Sequence, residues 1–321
     1  MNRHVRDYPL FEQFSITALQ LIKLFSFIAA GYLLRRLSLL PDQTGIVLSK
    51  LEVYLFLPAL CFRTMANNFR PSVIKEQSTM LLISLAVLSV TFLLSRLLAR
   101  FFTADKNIRE VYSYSFTIPN LGYLGYPLVL ALFGELTLFH FMVFTIPYSI
   151  FIYTVGIYIL NPNRSWSFKS MINPSMIALF LGIAAGLGNI RMPSVVMETM
   201  DLASDCMAPV AMLLTGFVLG AFLPGRLLGR LKVHVATWIR LIVLPLGVFA
   251  ALRLFQVNPD TIMLAVILLA MPFGLNTVIF TQTTGGDSTE GAQLTFVSYI
   301  YSLFTVPLVI SLLLHLLGYS T

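Results

Sequence analysis

Two stretches of the chain carry residue types and spacings that could do chemistry. The first is Thr117-Ile118-Pro119-Asn120-Leu121-Gly122-Tyr123-Leu124-Gly125-Tyr126-Pro127, and the second is Met271-Pro272-Phe273-Gly274-Leu275-Asn276-Thr277. Each lies inside a long apolar run. Proline removes a backbone donor and clashes with the preceding turn, and glycine tolerates dihedrals that other residues avoid, so neither run reads as an unbroken helix. Backbone unwound at membrane depth has to be satisfied by protein, water or ligand. The half-helix that restarts after such a break offers free N–H groups and the positive end of a dipole, and both favour an anion. Asn120 and Asn276 add amides that can donate to a carboxylate or bond the broken backbone. The chemistry implied is recognition of a negative head group. The candidate substrate-binding residues are Asn120, Gly122, Gly125, Pro127, Pro272, Gly274 and Asn276.

Charged residues inside apolar runs come next, because they cost free energy in lipid. Lys23, Glu52, Asp201 and Asp205 are candidates for coupling to a proton or sodium ion, or for supporting the site. Each also has a plainer reading: Lys23 snorkels to the interface, and the three acids sit near helix N-termini, where a negative charge is stabilising anyway. Arg63 and Arg240 are expected to snorkel as well. The histidines (4, 140, 234 and 315) are scattered, and Cys61 and Cys206 form no ligand spacing, so neither a metal site nor a cofactor is expected. No Ser/His/Asp or Cys/His grouping, phosphate loop or carboxylate pair suggests an enzyme.

The elements that must position these residues follow from composition. Of 321 residues 57% are hydrophobic and only 11% charged, against about 25% charged in a soluble domain. That excludes a soluble enzyme and a nucleic-acid binder; the net charge of +7 reads instead as basic loops near anionic lipid. Runs of about 20 apolar residues match a bilayer-spanning helix. Ten are expected, near 14–34, 46–66, 78–101, 111–134, 138–160, 173–190, 203–223, 236–256, 260–283 and 292–317. Odd-numbered loops hold 12 of the 21 Lys and Arg residues and the other loops and tails hold 7. The odd loops should therefore face the cytoplasm, with both termini outside a plasma membrane. Asn163-Arg164-Ser165 would then be an idle glycosylation acceptor. Asp287 followed by Glu290 resembles a capping box, and Gly182-xxx-Gly186 and Gly216-xxx-Gly220 are small-residue stripes suited to helix packing.

The halves also look alike. Ala29-Ala30-Gly31 corresponds to Ala184-Ala185-Gly186, Leu51 to Pro58 has the spacing of Leu202 to Pro209, and Pro119 corresponds to Pro272. Two repeats of five helices must insert with opposite orientation, the inverted plan of many secondary transporters, and paired breaks in such repeats point to the transport site. The division expected is 1–160 for the first repeat, a short linker at 161–172, and 173–321 for the second.

These residues resemble the auxin efflux carrier family, which includes plant auxin carriers and bacterial permeases for malonate and other organic anions. The anchors are Gly31-Tyr32 and Arg36 before Pro41, Leu57-Pro58-Ala59-Leu60 with Phe62, Asn120-x-Gly122-x-x-Gly125-x-Pro127, Pro209 before Leu213, Leu214 and Gly216, and Met271-Pro272 with Gly274 and Asn276. The resemblance implies an all-α membrane protein of ten transmembrane helices in a 5+5 inverted repeat. It also implies broken helices 4 and 9 that cross where a substrate carboxylate binds, elevator-like movement, and assembly as a homodimer. The family's crossover asparagine maps onto Asn120 and its crossover prolines onto Pro127 and Pro272. Thr79 to Leu94 holds no charge, so the acid–lysine pair of a support site has no match in the third span. Three other readings stay open: a sodium-coupled symporter of the bile-acid type, a membrane receptor or scaffold that binds without transporting, and a channel.

Overall fold

The computed structural model describes residues 5–161, 173–228, 230–283, 285 and 287–319. The linker expected at 161–172 therefore lies outside the described residues except for Asn161, and its Asn163-Arg164-Ser165 acceptor lies outside them entirely. The principal helices are α1 (Leu10–Arg36), α2 (Thr44–Asn68), α3 (Ile74–Phe102), α4 (Lys106–Thr117), α5 (Leu121–Phe144), α6 (Ile146–Leu160), α7 (Pro174–Leu187), α8 (Ser194–Gly220), α9 (Leu231–Leu254), α10 (Pro259–Ala270), α11 (Asn276–Thr283) and α12 (Thr289–Leu316). Seven helices are long and apolar enough to cross a membrane, and α6, α7 and α10 are shorter apolar helices. Among the described residues no strand forms, apart from one isolated bridge. Leu19, Ile22, Leu82 and Leu93 are more than half exposed, a surface suited to lipid and costly in water. The chain is a multi-pass membrane protein.

One apparent span is not straight. Within α5, Gly134 has φ 80° and ψ −178°, a conformation that L side chains avoid. The part before it belongs with the first break, and the part after it leads into α6. Length and hydropathy alone merge the two.

α1 packs along α8, and α2 packs along α7. The glycine stripes sit on these seams. A Cβ built on Gly31 would overlap the Leu213 carbonyl, and one on Gly216 the Ile28 carbonyl. On the other seam a Cβ on Gly182 would lie 2.6 Å from the Phe62 carbonyl oxygen, and one on Gly186 would overlap that of Phe69. Small residues let the backbones approach this closely, which in a membrane replaces the missing hydrophobic drive with packing.

Arg63 does not snorkel. Its guanidinium is 12% exposed, lies 2.9 Å from Asp201 and 3.1 Å from Glu135, and donates to Ser204 Oγ at 3.0 Å. It ties α2 to α8 and to the turn at Gly134, which makes Asp201 an ion-pair partner. Because both carboxylates are partly exposed, the cluster is worth little per pair. Arg63→Ala is expected to cost about 1 kcal/mol, read as a lowered melting point in detergent with insertion unchanged. The capping box does not form either. Asp287 accepts from Thr289 N at 2.8 Å, and these hydrogen bonds hold its carboxyl below the usual carboxylate range. Glu290 instead pairs with Lys232 and accepts from Tyr112 OH.

Candidate functional site

The backbone leaves its helical course at both proline-glycine motifs. α4 stops at Thr117, Ile118 is extended, and α5 starts at Leu121. α10 stops at Ala270, Met271 is extended, and α11 starts at Asn276. The gaps meet. Pro119 and Phe273 form the isolated antiparallel bridge, and Asn120 N donates to the Pro272 carbonyl at 2.9 Å. Phe273 N donates to Ser298 Oγ of α12 at 3.1 Å. Non-helical backbone at this depth is thus satisfied by the opposite gap and by a neighbouring helix, the condition under which lipid-embedded protein tolerates it.

The turn after the first gap is wider than an α-turn. Residues Leu121–Gly125 form a π turn, as do Glu52–Phe56 in α2 and Ile239–Val243 in α9. Each is followed two residues later by a proline: Pro127, Pro58 and Pro245. A helical proline clashes with the carbonyl four residues back. In all three cases that carbonyl is the middle residue of the π turn, where one extra residue in the turn can move it clear. Pro127 therefore shapes the restarted helix from a buried position and does not line the cavity.

The gaps enclose a cavity of about 60 Å³, room for a few waters or a small head group. Pro119, Asn120, Gly122, Tyr123, Gly274 and Asn276 line it, with Val53, Leu57 and Cys61 from α2 and Ser149 and Tyr153 from α6. A Cβ on Gly122 would meet nothing within 4 Å, whereas one on Gly125 would press on Phe141 at 3.3 Å and one on Gly274 on the Pro119 carbonyl at 3.3 Å. Gly122 leaves the cavity its space; Gly125 and Gly274 let the walls close. The Asn120 amide donates to Tyr299 OH of α12, so it also fastens the gap to its neighbour. Three helices begin at the cavity: α5 after Asn120, α11 at Asn276, and α7, whose Ser175 and Met176 line the wall. Asn173 caps α7 by accepting from Ser175 N at 2.7 Å, while Ser175 Oγ is buried without a partner. Three positive dipole ends face one small space with no carboxylate among its lining residues. A larger hollow of about 720 Å³, lined by Arg6, Lys75, His140 and Asp260, borders neither gap.

The family model described as membrane transport protein matches residues 16–167 and 163–310, nearly the whole chain. The chain belongs to this family. It is the auxin efflux carrier family that the motifs resemble, a family of transporters and not of enzymes. Curated proteins gave no match. A lipid bilayer and a transported substrate are therefore its partners.

In this transporter the charged residues fall differently from expectation. Lys23 and Asp205 are exposed, and neither lines the cavity. Glu52 is not an interfacial acid: it is fully buried at the head of the α2 π turn. Arg240 does not snorkel: it is fully buried in the α9 π turn, and Nη1 donates to the Phe116 carbonyl at 2.9 Å. Phe116 belongs to the last turn of α4, the negative end of that helix. Sequence reasoning missed the start of α7 as part of the site, and the burial of Arg240 against the end of α4. The signals were present: Asn173-Pro174 is a cap followed by proline at the first helical position, and Arg240 lies five residues before Pro245 where Glu52 lies six before Pro58.

Proposed function

We propose that this transporter is a secondary carrier, a permease, for a small organic anion, a carboxylate. Ten spans form two inverted five-helix repeats, 1–160 and 173–321, joined by the short linker. The seams support this plan: α1 against α8 and α2 against α7 exchange with each other if the first span corresponds to the sixth and the second to the seventh. The fourth span (α4 with the start of α5) and the ninth (α10 with α11) are the broken pair, and the substrate binds where they cross, with elevator-like movement giving alternating access. Loop charge supports termini outside a bacterial-type plasma membrane, and the resemblance supports a homodimer.

One observation carries the reading: two gaps joined by backbone share a cavity onto which three helix N-termini open, and the Arg240 guanidinium binds the end of α4 that leads into the first gap. The Asn276 amide and the positive ends of the restarting helices receive the head group. Asn120 holds the gap in register through Tyr299 and presents its backbone edge. The test is a thermal-shift screen of organic acids on purified protein, since a ligand of the folded state raises the melting point by mass action, followed by flux in proteoliposomes with and without sodium. Asn276→Ala should weaken binding about tenfold, the value of one hydrogen bond of about 1.5 kcal/mol, and Asn120→Ala should weaken it by freeing the gap from Tyr299; neither should abolish insertion. Normal flux in both variants removes their role. Strict sodium dependence turns the assignment to the symporter, and binding without flux turns it to a receptor.

A further inference from the structure

Glu52 is the buried charge that the anion site leaves unexplained. It is fully buried, and neither carboxylate oxygen has a hydrogen-bond partner in the protein. It lies one residue off the stripe of Val53, Leu57 and Cys61 that lines the cavity. Its π turn packs against α7 and α8. Pro174–Leu187 contains no titratable side chain. On α8, Gly45 of α2 lies beside Phe217 and Arg63 beside Asp201, so Glu52 faces the middle of the stretch between them; Met207–Phe217 contains no titratable group, and Asp205 and Cys206, nearer the Asp201 end, are exposed. Lys50 of its own helix is exposed. From the restarted helix α5, Tyr123 is the titratable group within electrostatic reach, and it lines the cavity.

An ionised carboxylate with no cation and no donor is untenable in such a place; the group protonates instead. A purely structural acid would have a donor, because an unpartnered buried polar group costs stability. We propose that Glu52 is the proton-binding site of the carrier, and that its proton travels with the organic anion. The coupling follows from proximity. An anion in the cavity disfavours a second negative charge nearby, so it favours the proton on Glu52, and by linkage the proton favours the anion. Anion binding should then weaken as pH rises. At subsaturating anion with one proton per anion the fall is about tenfold per pH unit above the titration of Glu52.

This rests on the carrier reading, so the experiment has two arms. In the first, the purified full chain is compared with Glu52→Gln by infrared difference spectroscopy at neutral pH. A protonated-carboxyl band present in the parent and absent from the variant supports the site; identical spectra overturn it, whatever the protein transports. In the second, proteoliposomes with an internal pH dye receive a malonate gradient. Expected is malonate flux with internal acidification in the parent, and flux without acidification and with a flat pH profile in Glu52→Gln. Glu52→Asp, which keeps the acid on a shorter stem, should retain acidification with a displaced pH profile. Malonate flux that never moves protons overturns the coupling and leaves the carrier reading standing. No flux of malonate or of the acids from the thermal-shift screen sinks the carrier reading and the coupling together, while the infrared arm still decides the proton site.

Discussion

Gly216→Ala is expected to cost about 3 kcal/mol of stability or more, the upper range for forcing extra atoms into a filled space. The added methyl group would occupy the position of the Ile28 carbonyl oxygen and lie 2.8 Å from Tyr32 N. Those are backbone atoms of α1, so no rotamer change can relieve the overlap, and the helices must separate. Separation would also loosen Gly31 against Leu213 on the same seam. Two substitutions frame the result. Gly247 in α9 is exposed and has nothing within 4 Å of its built Cβ, so Gly247→Ala should gain up to about 1 kcal/mol from helix propensity. Gly122→Ala also meets open space, but that space is the cavity, so it should leave the melting point near that of the parent and weaken anion binding. Thermal unfolding in detergent, with and without a bound acid, separates the three. A Gly216→Ala protein as stable as the parent would show that α1 and α8 do not touch at this point.

The pattern of glycines and prolines was legible because these residues act through the backbone, and the backbone obeys local rules. Pro119 and Pro272 marked both gaps, and Gly182, Gly186, Gly216 and Gly220 marked close approaches. The family followed from the same residues, since the Asn120 to Pro127 string encodes a local shape. The charged residues were read less well for the opposite reason. Whether Arg63 snorkels or pairs depends on Asp201 and Glu135, far from it in sequence and brought near by the α2–α8 seam and the Gly134 turn. Hydropathy places a residue along a helix but not around it, so Glu52 and Lys23 looked alike although one is buried and the other exposed. Glu290 was assigned to its own helix start by spacing, yet Lys232 and Tyr112 offered a cation and a hydroxyl from other helices. The contribution of α7 depended on where its first turn points, a tertiary fact that a cap motif alone does not contain.

The second large effect is expected at Arg240, where transport and stability should part company. The guanidinium makes one hydrogen bond, to Phe116 at the end of α4, and its Nε and Nη2 are buried without partners. Among the described residues no carboxylate pairs with it. A guanidinium keeps its charge, so the positive potential it casts is offset only by the half-charge of the α4 terminus. Phe116 is four residues before Asn120, at most about 14 Å of extended backbone, so the separation of the charge from an anion in the gap is on the order of 10 Å. At that separation and an effective dielectric near 20 the attraction is roughly 1.7 kcal/mol, about a factor of 20 in affinity. Arg240→Met should therefore lower anion uptake at least tenfold. It should leave stability near the parent's, because a buried charge replaced by an apolar side chain of similar length sheds its desolvation cost while orphaning one carbonyl. Arg240→Lys keeps the charge without the planar fork and should fall between the two. The pairing of lost uptake with retained melting temperature is what distinguishes an electrostatic role from scaffolding. If Arg240→Met takes up anion like the parent, the positive field at the crossover comes from helix ends alone; if it loses stability and uptake together, Arg240 holds the gap closed and has no separate part in attracting the substrate.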